Sequence, residues 1–189
     1  MLDKVLGSGL KKEGILINSN LHEDEVFDEI RSTSQVLSGL RSNVMNAVQY
    51  AFTEMLNNAI EHSGSKKIAY IIKRQGRMIE FTVKDSGIGV FRNIMTKMHL
   101  ANEAEAVREL LKGKGTTSPE EHNGKGIFFT SKVADRFLLG SSKIELCIDN
   151  VIRDVFVKER RQHKGTIVSF MLDTETDKKL EDIFKEYSN

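Results

Sequence analysis

Proline and cysteine are almost missing from this chain, with one of each among 189 residues, and tryptophan is absent. A single cysteine, Cys147, excludes an internal disulfide and a cysteine-based zinc site. It lies in the apolar run IELCI, residues 144–148, and reads as a core residue. Long hydrophobic runs are also missing. The longest uninterrupted one, Ile68 to Ile72, falls far short of the roughly 20 residues that span a bilayer. The opening MLDKVLGSGLKKEG has no apolar core of signal-peptide length. Nor is either charge sign in excess: 28 Lys plus Arg stand against 27 Asp plus Glu, which argues against a general nucleic-acid binder. The expectation is a cytoplasmic protein with no membrane or nucleic-acid partner. The basic run KERRQHK, Lys158 to Lys164, reads as a solvated hairpin turn rather than a phosphate-binding patch.

The length fits one domain or a domain with a small extension and buries roughly 70 % of the unfolded surface, enough to fold without staples. Glycine is unevenly spread. Six of the 14 (Gly87, Gly89, Gly113, Gly115, Gly124 and Gly126) fall within 40 residues, and Pro119 lies among them. Most of the chain is built for regular structure and one window for unusual backbone.

Hydrophobic spacing predicts a first strand at Ile15 to Ile17, a helix over 22–37, and a longer helix capped by Ser42 or Asn43. That helix runs through Val44, Val48, Phe52, Met55 and Ala59 to Ser63-Gly64. Lys67 to Lys73 and Met78 to Lys84 predict a hairpin turning at Gln75-Gly76. Short helices follow at 93–99 and 103–111. Lys112 to Lys125 has no apolar periodicity and reads as a mobile loop of the length that signals function. The spacing then predicts a helix over 127–138, strands at 143–147, 151–157 and 166–172, and a closing helix over 176–187. Strands then helices, without strict βαβ alternation, predict an α+β two-layer sandwich with a mixed, mostly antiparallel sheet and helices on one face.

Three constellations carry chemistry. In FTEMLNNAIEHS, residues 52–63, Glu54 and Asn58 are four apart and share one helix face. Asn58 offers a hard oxygen suited to Mg²⁺ and Glu54 a proton acceptor; taken alone, the pair is more simply an exposed polar stripe. In Asp85-Ser86-Gly87-Ile88-Gly89, glycines let a loop pass close to a flat ligand while the carboxylate accepts from an exocyclic amine. Taken alone, this is a tight turn. His122-Asn123-Gly124-Lys125-Gly126-Ile127 opens a helix, where free N–H groups and close backbone approach favour an anion. A plain glycine-rich helix entry explains it equally well. It is not a P-loop, because Gly126 stands where Ser or Thr is required and Pro119 where the first glycine belongs; nor is it a dinucleotide fingerprint, since position 129 is Phe.

In this order the three motifs resemble the GHKL ATPases, the superfamily of gyrase, histidine kinases, mismatch-repair ATPases and anti-sigma factor kinases. The resemblance covers roughly residues 44–172, and Gly165-Thr166 matches the Gly-Thr at the far end of that family's site. FTEMLNNAIEHS is closer to anti-sigma factor serine kinases, and LLKGKGTTSPEEHNGKGIFFTSKVADRF, residues 110–137, resembles stand-alone bacterial ATPase modules associated with STAS-like partner domains. The resemblance implies a Bergerat-type ATP-binding domain at 41–175, with a lid at 90–123. An N-terminal extension packs on it at 1–40, and a C-terminal helix follows at 176–189. It implies ATP and Mg²⁺ as ligands, with Asn58 on the metal, Glu54 as general base, Asp85 on the adenine amine, and Gly87 and Gly89 admitting the base. Gly124, Gly126 and Lys125 would line the triphosphate, and Thr166 the far end of the site. Lys112 and Lys114 are further candidates for the γ-phosphate.

His22-Glu23 superficially resembles a phosphoacceptor box, but the usual Pro is absent and only 31 residues separate His22 from Thr53, so His22 reads as a surface residue. The expectation is a stand-alone regulatory serine/threonine kinase acting on a STAS-like or other protein partner. The alternatives are a nucleotide-switched binding module with slow hydrolysis, or a catalytic domain serving a separate histidine phosphoacceptor. A homodimer is allowed, with the outer face of residues 22–37 as its candidate surface.

Overall fold

A computed structural model describes residues 9–112 and 123–187. Its strands are β1 (Leu10–Ile17), β2 (Lys67–Gln75), β3 (Met78–Asp85), β4 (Arg136–Asp149) and β5 (Asp154–Asp173). Its helices are α1 (Glu23–Thr33), α2 (Ser42–His62), α3 (Val90–Lys97), α4 (Glu103–Lys112), α5 (Asn123–Val133) and α6 (Leu180–Tyr187). The strands form one five-stranded sheet in the order β1-β2-β3-β5-β4. All four pairings are antiparallel, so the sheet is more uniform than the mixed one expected. The two-layer α+β sandwich stands.

Alternation places one face of the sheet in the core. Ile68, Tyr70 and Ile72 of β2, Ile79, Phe81 and Val83 of β3, and Val168, Phe170 and Leu172 of β5 are buried. Helix α2 lays Val44, Val48, Phe52, Met55 and Ala59 against them, all buried. Phe52 is the hub, with ring centroids 5.7 Å from Phe27, 5.8 Å from Tyr70 and 5.4 Å from Phe81. Phe81 in turn stacks on Phe170 at 5.0 Å. Glu54 follows Phe52 by two residues, about 200° around a helix, so the packing that buries Phe52 turns Glu54 and Asn58 away from the sheet.

Local chemistry explains the turns. Gln75 pairs with Met78, leaving the two-residue loop Gly76-Arg77, with Gly76 at φ 57°, the positive φ that a tight hairpin asks of glycine. Helix α2 starts one residue before Asn43, with Arg41 at its N-cap and no side-chain cap. Asn43 instead gives its amide to the carbonyls of Thr176 and Lys178 (2.8 and 2.9 Å), tying down the lead-in to α6.

Five expectations are corrected. The helix over 127–138 stops at Val133, because Asp135 is captured by β5: its N–H bonds the Met171 carbonyl at 2.8 Å and its carboxylate accepts from the Asp173 N–H at 2.8 Å. The chain is extended from Arg136 onward. Residues 151–153 are the turn between β4 and β5, not a strand start, and Asp149 Oδ1 caps it by accepting from Val151 and Ile152 N–H (3.1 and 3.2 Å). The basic run at 158–164 is strand rather than turn, inside a 20-residue β5. Cys147 is half-buried, not a core residue. The closing helix is shorter than expected, beginning at Leu180.

Candidate functional site

The end of α2 and the loop after β3 are stitched together. Ser63, buried at the C-cap of α2, gives its hydroxyl to the Ala59 carbonyl (2.5 Å) and takes the Ser65 N–H (2.9 Å). Its own carbonyl accepts from Ile88 N–H at 2.9 Å. Ser65 Oγ accepts from Ser86 N–H at 3.2 Å. A Cβ on Gly87 would meet the Ser63 carbonyl oxygen and come 2.8 Å from Ser63 Cβ, so only glycine lets this loop lie on the helix end. Gly89 caps α3 at φ 88°, and a Cβ there would meet Ser141 Oγ and lie 3.3 Å from the Gly165 carbonyl oxygen.

Asp85, the last residue of β3, is buried. Its Oδ1 accepts from Gly87 N–H at 2.8 Å. Burial pushes its carboxyl above the ordinary carboxylate range, while hydrogen bonds from Gly87 and Thr166 and the nearby His163 pull it back. Thr166 lies opposite Ser141 across the β4–β5 ladder and accepts from Val90 N–H at 3.0 Å, satisfying a donor in the first turn of α3. The ladder breaks just beyond: Ser141 pairs with Thr166 but Ser142 pairs with His163. The bulge holds Gly165 at φ 81°, and its carbonyl takes the Ser141 hydroxyl at 3.1 Å.

Glu54 meets the third motif. A Cβ on Gly126 would run into Glu54 Oε2 and lie 3.0 Å from Glu54 Cδ. The absence of a side chain there lets α5 settle on the Glu54 carboxylate. Tyr50, one turn earlier, has its phenol pushed well up by burial and by the Glu54 charge. Asn58 gives its amide N–H to the Glu54 carbonyl at 2.9 Å, the i−4 back-bond of a polar helix residue.

One cleft collects these elements. Asn58, His62, Ser63, Asp85, Gly89, Asn93 and Thr166 supply its polar lining, and Met55, Ala59, Val83, Val90, Ile94, Ile127, Leu139 and Val168 its apolar walls. Of the sequence-predicted residues, Asn58, Asp85, Gly89 and Thr166 line it directly. Gly87 supports its rim, and Glu54 and Gly126 sit together beside it. Lys125 is exposed in the first turn of α5, which Gly124 shares. Residues 90–112 of the expected lid form α3 and α4. Lys112 closes α4, paired with Glu109 at 2.5 Å. Lys114, Gly113, Gly115, Pro119 and the loop through residue 122 lie outside the described residues. His22 is exposed, as expected of a surface residue.

Spacing and motifs do not single out Asn93, Ile94, Leu139, Ser141 or His163. The first two follow from the loop's glycines only once α3 is known to start at Val90, and Ser141 needs the long-range pairing with Thr166. His163 Nε2 is buried with no hydrogen-bond partner among the described residues. Burial first, then Lys84 and Arg160, hold its imidazole below the ordinary range.

The donor set fits a nucleotide. Apolar walls stand beside the buried Asp85 carboxylate, and Ile127 of α5, the helix whose start rests on Glu54, lines the same cleft. A divalent cation fits too, in a limited way. Among the described residues no cluster of three His, Cys, Asp or Glu exists, so Asn58 would supply one oxygen to an ion whose other oxygens come from phosphates and water, the habit of Mg²⁺.

Among the described residues no helix is long and apolar enough to cross a membrane. A search of curated proteins finds no match to the chain. The histidine kinase-like ATPase domain model matches residues 22–148, a span that holds the α2 motif, the glycine loop after β3 and the opening of α5. The chain therefore belongs to the histidine kinase-like ATPase domain family and is an ATP-binding module of the GHKL type.

Proposed function

We propose that the chain is a cytoplasmic, Mg²⁺-dependent protein serine/threonine kinase of the anti-sigma factor kinase kind, regulating a STAS-like protein partner. The observation that carries this reading is the meeting of Glu54 with Gly126 beside the cleft that Asn58 and Asp85 line. That arrangement puts a carboxylate next to the helix start where a triphosphate would end.

In this reading Asp85 accepts the exocyclic amine of adenine, Thr166 and the glycines at 87 and 89 fix the base, and Met55, Ile94, Ile127, Leu139 and Val168 exclude water from its faces. Asn58 holds the cation, whose charge offsets that of the phosphates. Gly124, Gly126 and Lys125 face the triphosphate, with Lys112 and Lys114 as further cations. Glu54 takes the proton from the partner's hydroxyl as it attacks the γ-phosphorus, and the bond to the β–γ bridging oxygen breaks to leave ADP. Retention of Glu54 supports chemistry over a purely nucleotide-switched surface.

The test is transfer of label from γ-³²P-ATP with Mg²⁺ to candidate STAS-like proteins. Phosphoserine or phosphothreonine on the partner supports the reading. Release of free phosphate alone supports a hydrolytic timer, and an acid-labile phosphohistidine supports service to a separate histidine acceptor. Glu54→Gln should cut turnover by at least about a hundredfold while nucleotide still binds. Full activity in that variant would remove Glu54 as the base.

A further inference from the structure

The hairpin of β4 and β5 runs beyond the body of the sheet. Strand β3 pairs with β5 only from Ile167 to Asp173. Among the described residues, nothing pairs with the outer edge of β5 from Asp154 to Thr166. This edge is apolar where edges are usually guarded: Val155, Phe156 and Val157 are 44 %, 36 % and 56 % exposed. Lys158, Glu159, Arg160 and Arg161 follow immediately. A bare apolar edge ending in charge is a template for one further strand of limited length.

We propose that this edge pairs with the same edge of a second copy, antiparallel, about a two-fold axis through Phe156. A two-fold contact sets a patch against itself, so some residue of the strand must face its own copy. Centring on Phe156 sets Phe156 against Phe156, Val155 against Val157 twice, and Asp154 against Lys158 twice. Alternation puts Asp154, Phe156 and Lys158 on one face and the four valines on the other. Each opposed pair is then apolar with apolar or acid with base, the combinations that stabilise neighbouring strands. Lys158 Nζ already stands 5.9 Å from the centre of its own Phe156 ring, on the face the pairing needs.

The neighbouring symmetric registers fail: centring on Val155 sets Asp154 against Phe156 and Arg153 against Val157. Centring on Val157 sets Val155 against Glu159 and Phe156 against Lys158. Centring on Lys158 sets two ammonium groups face to face. The outer face of α1, the other candidate surface, has little to offer a second copy, because its Val26, Phe27 and Ile30 are spent in the core.

The test uses the full chain and sedimentation velocity across a wide concentration range, with far-UV circular dichroism to check folding. A reversible dimer is expected. Lys158→Asp and Asp154→Lys should each weaken it by about tenfold or more, since two pairs change sign together, and the double swap should restore it. For a readout independent of affinity, Phe156→Cys is made with Cys147→Ser, because Cys147 lies opposite Phe156 within the hairpin. Under mild oxidation it should form a covalent dimer through residue 156, while Val155→Cys in the same background should not. A chain monomeric at all concentrations, a dimer indifferent to both charge reversals, or equal cross-linking at 155 and 156 would overturn the proposal.

Discussion

Gly165 and Asp85 interlock: a Cβ on Gly165 would lie 2.6 Å from Asp85 Oδ1 and would also meet the Asp85 carbonyl oxygen. Gly165 also stands at φ 81°, where side chains are strained. Gly165→Ala should therefore cost about 1–3 kcal/mol of stability and displace the carboxylate that faces the cleft. Urea unfolding with nucleotide titration of the same variant checks both effects, and loss of binding should persist at temperatures where the variant is fully folded.

Asp85 itself should separate binding from folding. Burial raises its carboxyl, so the folded state holds the proton more tightly than the unfolded one, and the charged group costs stability above its folded pKa. Asp85→Asn keeps an oxygen for the Gly87 N–H and should fold at least as stably as the parent, yet lose ATP affinity. In the parent, affinity should fall on acidification, starting above the ordinary carboxylate value of about 4. Calorimetric titration of the parent and of Asp85→Asn from pH 8 downward reads this, and affinities that respond to acid in parallel in the two would remove Asp85 from the base contact.

Gly126→Ala probes the contact between α5 and α2. The clash is with the end of the Glu54 side chain, which can move, so the stability change should stay within about 1 kcal/mol. Turnover should fall much more than nucleotide affinity, because the displaced group is the proposed base. Parallel loss of both, in a folded variant, would speak against that role.

Much of this geometry was readable from the residues. The stripe through Val48, Phe52, Met55 and Ala59 fixed which side of α2 is buried, and Glu54 and Asn58 followed. Gly76 marked the β2–β3 hairpin. The course of β4 and β5 was harder to read. Helical spacing continues through Leu138, and only the capture of Asp135 by Met171 and Asp173 shows why the helix ends at Val133. The run 158–164 reads as a turn because five of its seven residues are charged. It is strand because its partner, 142–145, is supplied by another segment. Periodicity reports burial, and β5 from residue 154 to 159, exposed on both faces, has no burial to report.

The hairpin has its own electrostatic lock. The Asp149 carboxylate, 4 % exposed, takes two hydrogen bonds from Arg136 at 2.9 and 2.7 Å. Arg136 foremost, with the Val151 and Ile152 N–H groups, holds it below the usual carboxylate range. A lowered carboxyl adds stability above its unfolded pKa, near 4, and loses it as pH falls through the folded value. Asp149→Asn should therefore be less stable than the parent by a constant margin above about pH 5, and the two should converge below about pH 4. Urea midpoints across pH 7 to 3 provide the comparison.

Strand β5 runs from the free edge at Phe156, through the bulge at Gly165, to Thr166 in the cleft. Ten residues at about 3.3 Å each span roughly 33 Å. Two copies joined at Phe156 would hold their clefts up to about 65 Å apart, well beyond the reach of a side chain. Pairing would then set valency rather than complete a shared active site. Each protomer would load and turn over its own nucleotide, and a partner that is itself paired or repeated would bind with avidity, its affinity set by the fixed spacing of the two clefts.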